Sequence, residues 1–136
     1  MSNVETMQEI YEAFGRGDVA AILERLAEDV RWEQWATTNA AQEKDVPYMR
    51  PRSGREAVAG FFADVQEDFE MNSFNPHAFL EGDGRVAVMI EIDITVKSTG
   101  KRVEEEEIHL VEFGPDGKVT GFRHFLDTAK AIEAHS

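Results

Sequence analysis

A chain of 136 residues, 42% hydrophobic and 10% aromatic, is long enough for one folded domain over 1–136 whose core needs no metal or disulfide. Its 27 acidic and 14 basic residues give a formal net charge of −13, which argues against nucleic acid and anionic membranes as partners, because both demand a basic surface. It contains no cysteine, so disulfides, thiolate metal sites and cysteine nucleophiles are excluded.

The first residues, Met1-Ser2-Asn3-Val4-Glu5, are polar, and no run of 18 apolar residues follows. No export signal or membrane span is therefore expected, and a cytoplasmic location is the default. Val4, Met7, Ile10, Tyr11 and Phe14 recur at helical spacing and predict a helix over 3–14. Gly15 and Gly17 suit its end, and Asp18 caps a second short helix marked by Val19, Ile22, Leu23 and Leu26. Asp29 to Trp35 alternates as a strand does, with Val30, Trp32 and Gln34 on one side and Arg31, Glu33 and Trp35 on the other. Residues 36–53 lack a period and form a long connection, either a lid or binding loop or a plain surface excursion. Ser53-Gly54-Arg55-Glu56 fits a capping box. Val58, Phe61, Phe62, Val65 and Phe69 then mark a third helix from Gly54 to Asp68.

Beyond it the period falls to two. Residues 70–81, broken by Asn75-Pro76, predict a bent strand. Arg85 to Lys97 is the clearest strand: Val86, Val88, Ile90, Ile92, Ile94 and Val96 share one face, and Ala87, Met89, Glu91, Asp93 and Thr95 the other. Arg102–Phe113, the turn Gly114-Pro115-Asp116-Gly117 and Lys118–Asp127 read as a long hairpin. Alternation places Glu105, Glu107, His109 and Val111 on one face of its first strand, and Thr120, Phe122, His124 and Leu126 on one face of its second. A short helix from Thr128 to Ala134, capped by Asp127, closes the chain. Three helices with an early strand and then an antiparallel meander make an α+β fold, with the helices on one face of a sheet that curls around a pocket.

This order resembles the cone-shaped α+β roll of the nuclear-transport-factor-2-like superfamily, and within it the SnoaL-like, ketosteroid-isomerase-related group. The resemblance is carried by Phe14-Gly15-Arg16-Gly17-Asp18, Leu26-Ala27-Glu28-Asp29-Val30, Gly54-Arg55-Glu56-Ala57-Val58 and Gly117-Lys118-Val119 leading to Arg123-His124-Phe125-Leu126-Asp127. It implies a cone-shaped antiparallel sheet packed on three N-terminal helices. It also implies an inner face carrying Trp32, Gln34, Glu91, Asp93, Glu107, His109 and His124. Positions where ketosteroid isomerases hold a catalytic Asp, a helix Tyr and a second donor match Gln34, Ile10 and His109. The Arg-x-Asp and final Asp of limonene-epoxide hydrolase match Glu91-Ile92-Asp93 and His124. The polyketide cyclases' pocket His and acid/base Asp match His109 and His124.

The expected protein is accordingly a small-molecule enzyme performing isomerisation, cyclisation or water addition. His124 is expected to act as general acid or base with help from Asp93, and His109 to hold a developing enolate oxygen. Trp32, Gln34, Tyr48, Glu91, Glu107, Phe122 and Leu126 would line the substrate site. A non-catalytic binder of a small apolar metabolite is the alternative. No cofactor is expected, and no spacing such as His-x-x-x-His points to a metal. The family's outer sheet face pairs two copies, so a homodimer through Val88, Ile90, Ile92 and Ile94 is expected. The opposite arrangement of that strand, with its apolar face on the helices and Glu91, Asp93 and Glu107 in solvent, stays open.

Overall fold

The computed structural model describes all 136 residues. Helix α1 (Asn3–Gly15) starts at a capping box between Ser2 and Glu5. Asp18 caps α2 (Val19–Glu24) by accepting from the Ala21 N–H. Strand β1 (Leu26–Trp32) follows at once. Leu26, expected at the end of the second helix, instead pairs with Val119 and is 1% exposed. The remaining elements are α3 (Ala40–Glu43), a 3-10 turn (Pro47–Met49), β2 (Arg52–Ser53), α4 (Arg55–Asp68), β3 (Phe69–Gly82), β4 (Arg85–Val96), β5 (Arg102–Phe113), β6 (Val119–Phe125) and α5 (Thr128–Ala134). No helix is long and apolar enough to cross a membrane.

The six strands form one curved sheet in the order β2-β1-β6-β5-β4-β3. All neighbours are antiparallel except β1 and β6, which run parallel. Parallel neighbours need a long crossover, and most of the chain separates these two. Register shifts in β3 between Met71 and Ser73 and between Pro76 and Ala78 bend the sheet where Asn75-Pro76 predicts a bend.

The long connection is not a surface excursion. Ala41, Val46, Tyr48 and Met49 are buried in the main core, and Gln42 ties the segment down by donating to the Glu33 and Met49 carbonyls at 3.0 Å each. The capping box expected at Ser53 does not form. The cap of α4 is Gly54 at φ 91°, with no side-chain bond. An added Cβ there would sit 3.6 Å from the Glu28 carbonyl oxygen and force an L side chain into a left-handed backbone.

The register of β4 decides which face meets the helices. Ile90 lies opposite Glu107, Val88 opposite His109, and His109 opposite His124. Directly opposed residues point to the same side of a sheet. The apolar face of β4 and the polar face of the hairpin are therefore one surface, turned inward. Val86, Val88, Ile90 and Val96 are fully buried there. Glu91 and Asp93 point outward, contrary to the inner-face expectation. An outer, dimer-forming face of Val88, Ile90, Ile92 and Ile94 is likewise ruled out.

Candidate functional site

Between the concave face of the sheet and helices α1, α2 and α4 lies a cavity of about 80 Å³. Its less buried rim is Phe62, Val65, Met71 and Phe74. Apart from two tyrosines its wall is apolar, with four exceptions: Glu105, Glu107, His109 and His124. No lysine or arginine lines it.

His124 reaches the wall from β6 and is held from behind by Glu33. Immediately after β1, Glu33 adopts a left-handed backbone (φ 55°) and its side chain is wholly buried. Its carboxylate accepts from Nδ1–H of His124, from the His124 backbone N–H at 3.1 and 3.2 Å and from Trp35 Nε1–H at 3.0 Å. This fixes the tautomer and leaves His124 Nε2 without a protein partner. Burial opposes a charge on the ring, but the charge and hydrogen bond of Glu33, with Glu107 and Glu105 behind, outweigh it. His124 therefore titrates above the ordinary histidine value.

His109, on β5, stands against His124 with ring centroids 4.6 Å apart and near-perpendicular planes. Its Nε2 lies 2.9 Å from Glu107 Oε1 and its Nδ1 2.9 Å from the Tyr11 hydroxyl. Burial pushes His109 below its ordinary value, and the charge of His124 adds to this against the pull of Glu107. Burial and the Glu107 charge push the Tyr11 hydroxyl well up. A neutral ring beside a protonated phenol has one consistent pattern: Tyr11 O–H donates to Nδ1, and Nε2–H donates to Glu107. For Glu107 itself, burial raises the pKa, but the hydrogen bond from His109 and the two histidine charges win, and it stays below the ordinary carboxyl value.

Glu105 is the less constrained acid. Burial, then the charge of Glu107, pushes it up to about 7, and its Oε2 is buried without a hydrogen bond. A carboxyl raised in the folded state favours folding when protonated and costs stability once ionised, so its contribution falls as pH rises from about 4.5 to about 7. Glu105→Gln is therefore expected to raise Tm at pH 8 and change it little at pH 5, as thermal unfolding at the two pH values would register. Donor atoms of Glu107, His109 and His124 lie within 4.8 Å of one another, the one buried trio with metal-ligand chemistry. A cation there would have to displace the proton shared by His109 and Glu107.

Of the residues singled out from sequence, the fold brings His109, His124, Glu107, Trp32, Tyr48 and Phe122 to this cavity. Leu126 packs on the adjoining core but does not line it. Gln34 is turned aside by the left-handed residue before it and donates to the Arg52 carbonyl at 3.0 Å and to Ser53 Oγ at 3.2 Å. Glu91 is exposed on the outer face. Asp93 is bound there by Arg102 and Asn72, and the Arg102 hydrogen bond, then that of Asn72, holds its carboxyl down at about 2. Asp93 cannot assist His124. Asp93→Asn is expected to leave any turnover unchanged, and equal kcat/KM for the two proteins would show it.

Two residues of the site escape the sequence reading. Tyr11 was visible only as one more apolar position of α1, next to Ile10, the position matched to the isomerase tyrosine. Strict alternation places Glu33 on the face away from Trp32, and its left-handed backbone breaks that alternation.

A family model described as a SnoaL-like domain matches residues 7–122. Among solved structures, an NTF2-like protein of unknown function from Burkholderia pseudomallei superposes with a TM-score of 0.82 at 29% identity, over 98% of both chains. An NTF2-like protein from Burkholderia xenovorans gives 0.81 at 26%, over 98% of this chain and 95% of the other. The epoxide hydrolase/cyclase-like enzyme of pyran ring formation in the polyether salinomycin gives 0.70 at 22%, over 94% and 92%, a likeness of fold alone. No curated protein matches the chain.

Proposed function

The chain belongs to the SnoaL-like domain family, and from that premise we propose that it is a small-molecule enzyme that moves protons on an apolar substrate through His124. One observation carries this reading. The Nδ1 side of His124 is fully occupied by a buried carboxylate, while Nε2 is unpartnered on the wall of an apolar cavity. A base so arranged takes a proton on Nε2 and holds the resulting imidazolium beside Glu33. In the proposed reaction Nε2 removes a proton from a carbon next to a carbonyl, and the imidazolium returns it at a second position or to a newly formed oxygen. Ring formation and isomerisation are both outcomes of such a transfer. His109, with both nitrogens engaged by Tyr11 and Glu107, serves as a positioning residue that keeps a neutral ring against His124.

The test is the pH dependence of kcat/KM on enolisable ketones. A base must be unprotonated, so the rate should rise with pH through the elevated His124 value. Glu33→Gln removes the charge that elevates it and should move that limb to lower pH. A limb that stays in place in Glu33→Gln refutes His124 as the base. The apolar wall also supports the alternative, a non-catalytic binder. That reading predicts thermal stabilisation by a ligand without conversion, and unchanged affinity in His124→Gln.

A homodimer belongs to the same proposal, through residues other than those first expected. The outer face offers Leu80, Met89, Ile108, Leu110 and Phe125, of which Leu80 is 56% and Phe125 41% exposed. A pairing of two such faces would cover them.

A further inference from the structure

Two buried polar atoms of the cavity wall have no partner anywhere in the protein. One is Trp32 Nε1–H and the other is Glu105 Oε2. The remaining such atoms, Arg52 Nη1 and Arg55 Nε, belong to guanidinium groups already anchored on Asp64 and on the Leu26 carbonyl. The Trp32 case is the sharper one. An indole N–H can only donate, and burying it unpaired costs stability. The ring is 4% exposed and cannot swing to find an acceptor, because it is stacked on Phe122 with centroids 4.1 Å apart and packed against Phe61 at 5.2 Å. Both of those aromatic rings also touch His124, so the indole and the imidazole share one end of the cavity.

Charge narrows what can accept that bond. Glu105 and Glu107 line the cavity and Glu33 stands behind His124, while no lysine or arginine lines it. Lys130, the one cation acting on Glu105, bonds the Glu104 carbonyl outside. An anionic ligand would enter a site already rich in carboxylates, where no lysine or arginine meets it and the charge His124 can carry is already paired with Glu33.

We propose that the site selects an uncharged carbonyl compound, whose oxygen accepts the Trp32 Nε1–H bond, and that Glu105 excludes the corresponding carboxylates. This rests on the acid/base reading above and deepens it. Trp32 supplies the donor for the oxygen that gains charge when His124 removes the neighbouring proton, a role His109 cannot fill with both nitrogens engaged. The carbonyl oxygen satisfies the indole, and a hydroxyl elsewhere on the same molecule satisfies Glu105.

Three monosubstituted benzenes test it without knowledge of the natural substrate: acetophenone, benzoate and toluene. Binding is read from the Trp32 indole N–H resonance, assigned by its disappearance in Trp32→Phe, and from thermal shift. Acetophenone is expected to bind and displace that resonance, toluene to bind without displacing it, and benzoate not to bind at pH 8. Trp32→Phe keeps an aromatic ring but no N–H, and should weaken acetophenone about tenfold while sparing toluene. Glu105→Gln should admit benzoate. Benzoate binding as tightly as acetophenone, an equal loss for toluene in Trp32→Phe, an unmoved indole resonance at saturation, or no saturable binding by any probe overturns the proposal. The acid/base reading fails separately. If ketone binding behaves as described but His124→Ala keeps full turnover, the selectivity stands and the role of His124 falls.

Discussion

Glu33→Ala is expected to lower the unfolding free energy by about 3–5 kcal/mol, the cost of stripping one partner from a buried charged pair. Three donors lose their acceptor at once: Nδ1–H and the backbone N–H of His124, and the indole N–H of Trp35. The two His124 donors are buried, while the Trp35 indole is only half-buried. Urea unfolding monitored by far-UV circular dichroism would show the drop in midpoint at constant slope, and a loss within about 1 kcal/mol would count against Glu33 as the keystone of the site. Glu33→Gln retains the shape and one acceptor oxygen, so its cost should be smaller and should depend on pH. The folded-state value of His124 lies above its ordinary value of about 6.5. The stability this pair contributes is therefore fully present below about pH 6.5 and is lost as pH rises through the elevated value. The gap between wild type and Glu33→Gln should be widest in mild acid and should close toward alkaline pH.

His124→Ala is expected to reduce kcat by about 10²–10⁴-fold on any substrate the wild type turns over, the usual worth of a positioned general acid or base. The effect should fall on kcat more than on KM, because Nε2 makes its decisive contact only as the proton moves. His124 is itself buried at the end of an aromatic cluster, so the alanine protein needs a check of folding. His124→Gln fills the volume better and should show the same loss of rate. If both variants fold, bind the acetophenone probe and keep more than a tenth of wild-type kcat, proton transfer belongs to another group, with Glu105 next in line.

Most of the fold was legible from periodicity. The spacing of Val4, Met7, Ile10 and Phe14, the six-fold alternation from Val86 to Val96 and the Gly114–Gly117 turn each report a local conformation that the whole structure keeps. Local patterns fail where one residue breaks the period. Leu26 belongs to β1 because its partner Val119 lies on the far side of the chain, a fact no neighbour in sequence reports. The cap of α4 moved from Ser53 to Gly54 because Ser53 is committed to the short pairing with Arg31.

For the site, the two histidines were legible because both lie on hairpin strands whose alternation holds. Their carboxylate partner was misassigned twice over. The resemblance to limonene-epoxide hydrolase puts Asp93 on the inner face, yet the phase between strands is set by pairing register and not by composition. A shift of one residue turns every side chain over. Nothing in the sequence pattern points to Glu33, because a single left-handed residue after Trp32 ends the alternation and folds its carboxylate beneath His124.

What the sequence determined by itself is therefore local: an acidic, cysteine-free α+β chain, its helices and strands, and the presence of His109 and His124 on one hairpin. Only the tertiary structure decided which faces meet. It turned the apolar side of β4 inward with the histidines, sent Asp93 and Glu91 out, and set Tyr11 and Glu33 beside the two rings. The reason is physical. Alternation within a strand follows from the backbone alone, whereas register between strands and the reach of a buried carboxylate depend on contacts between residues about 90 positions apart.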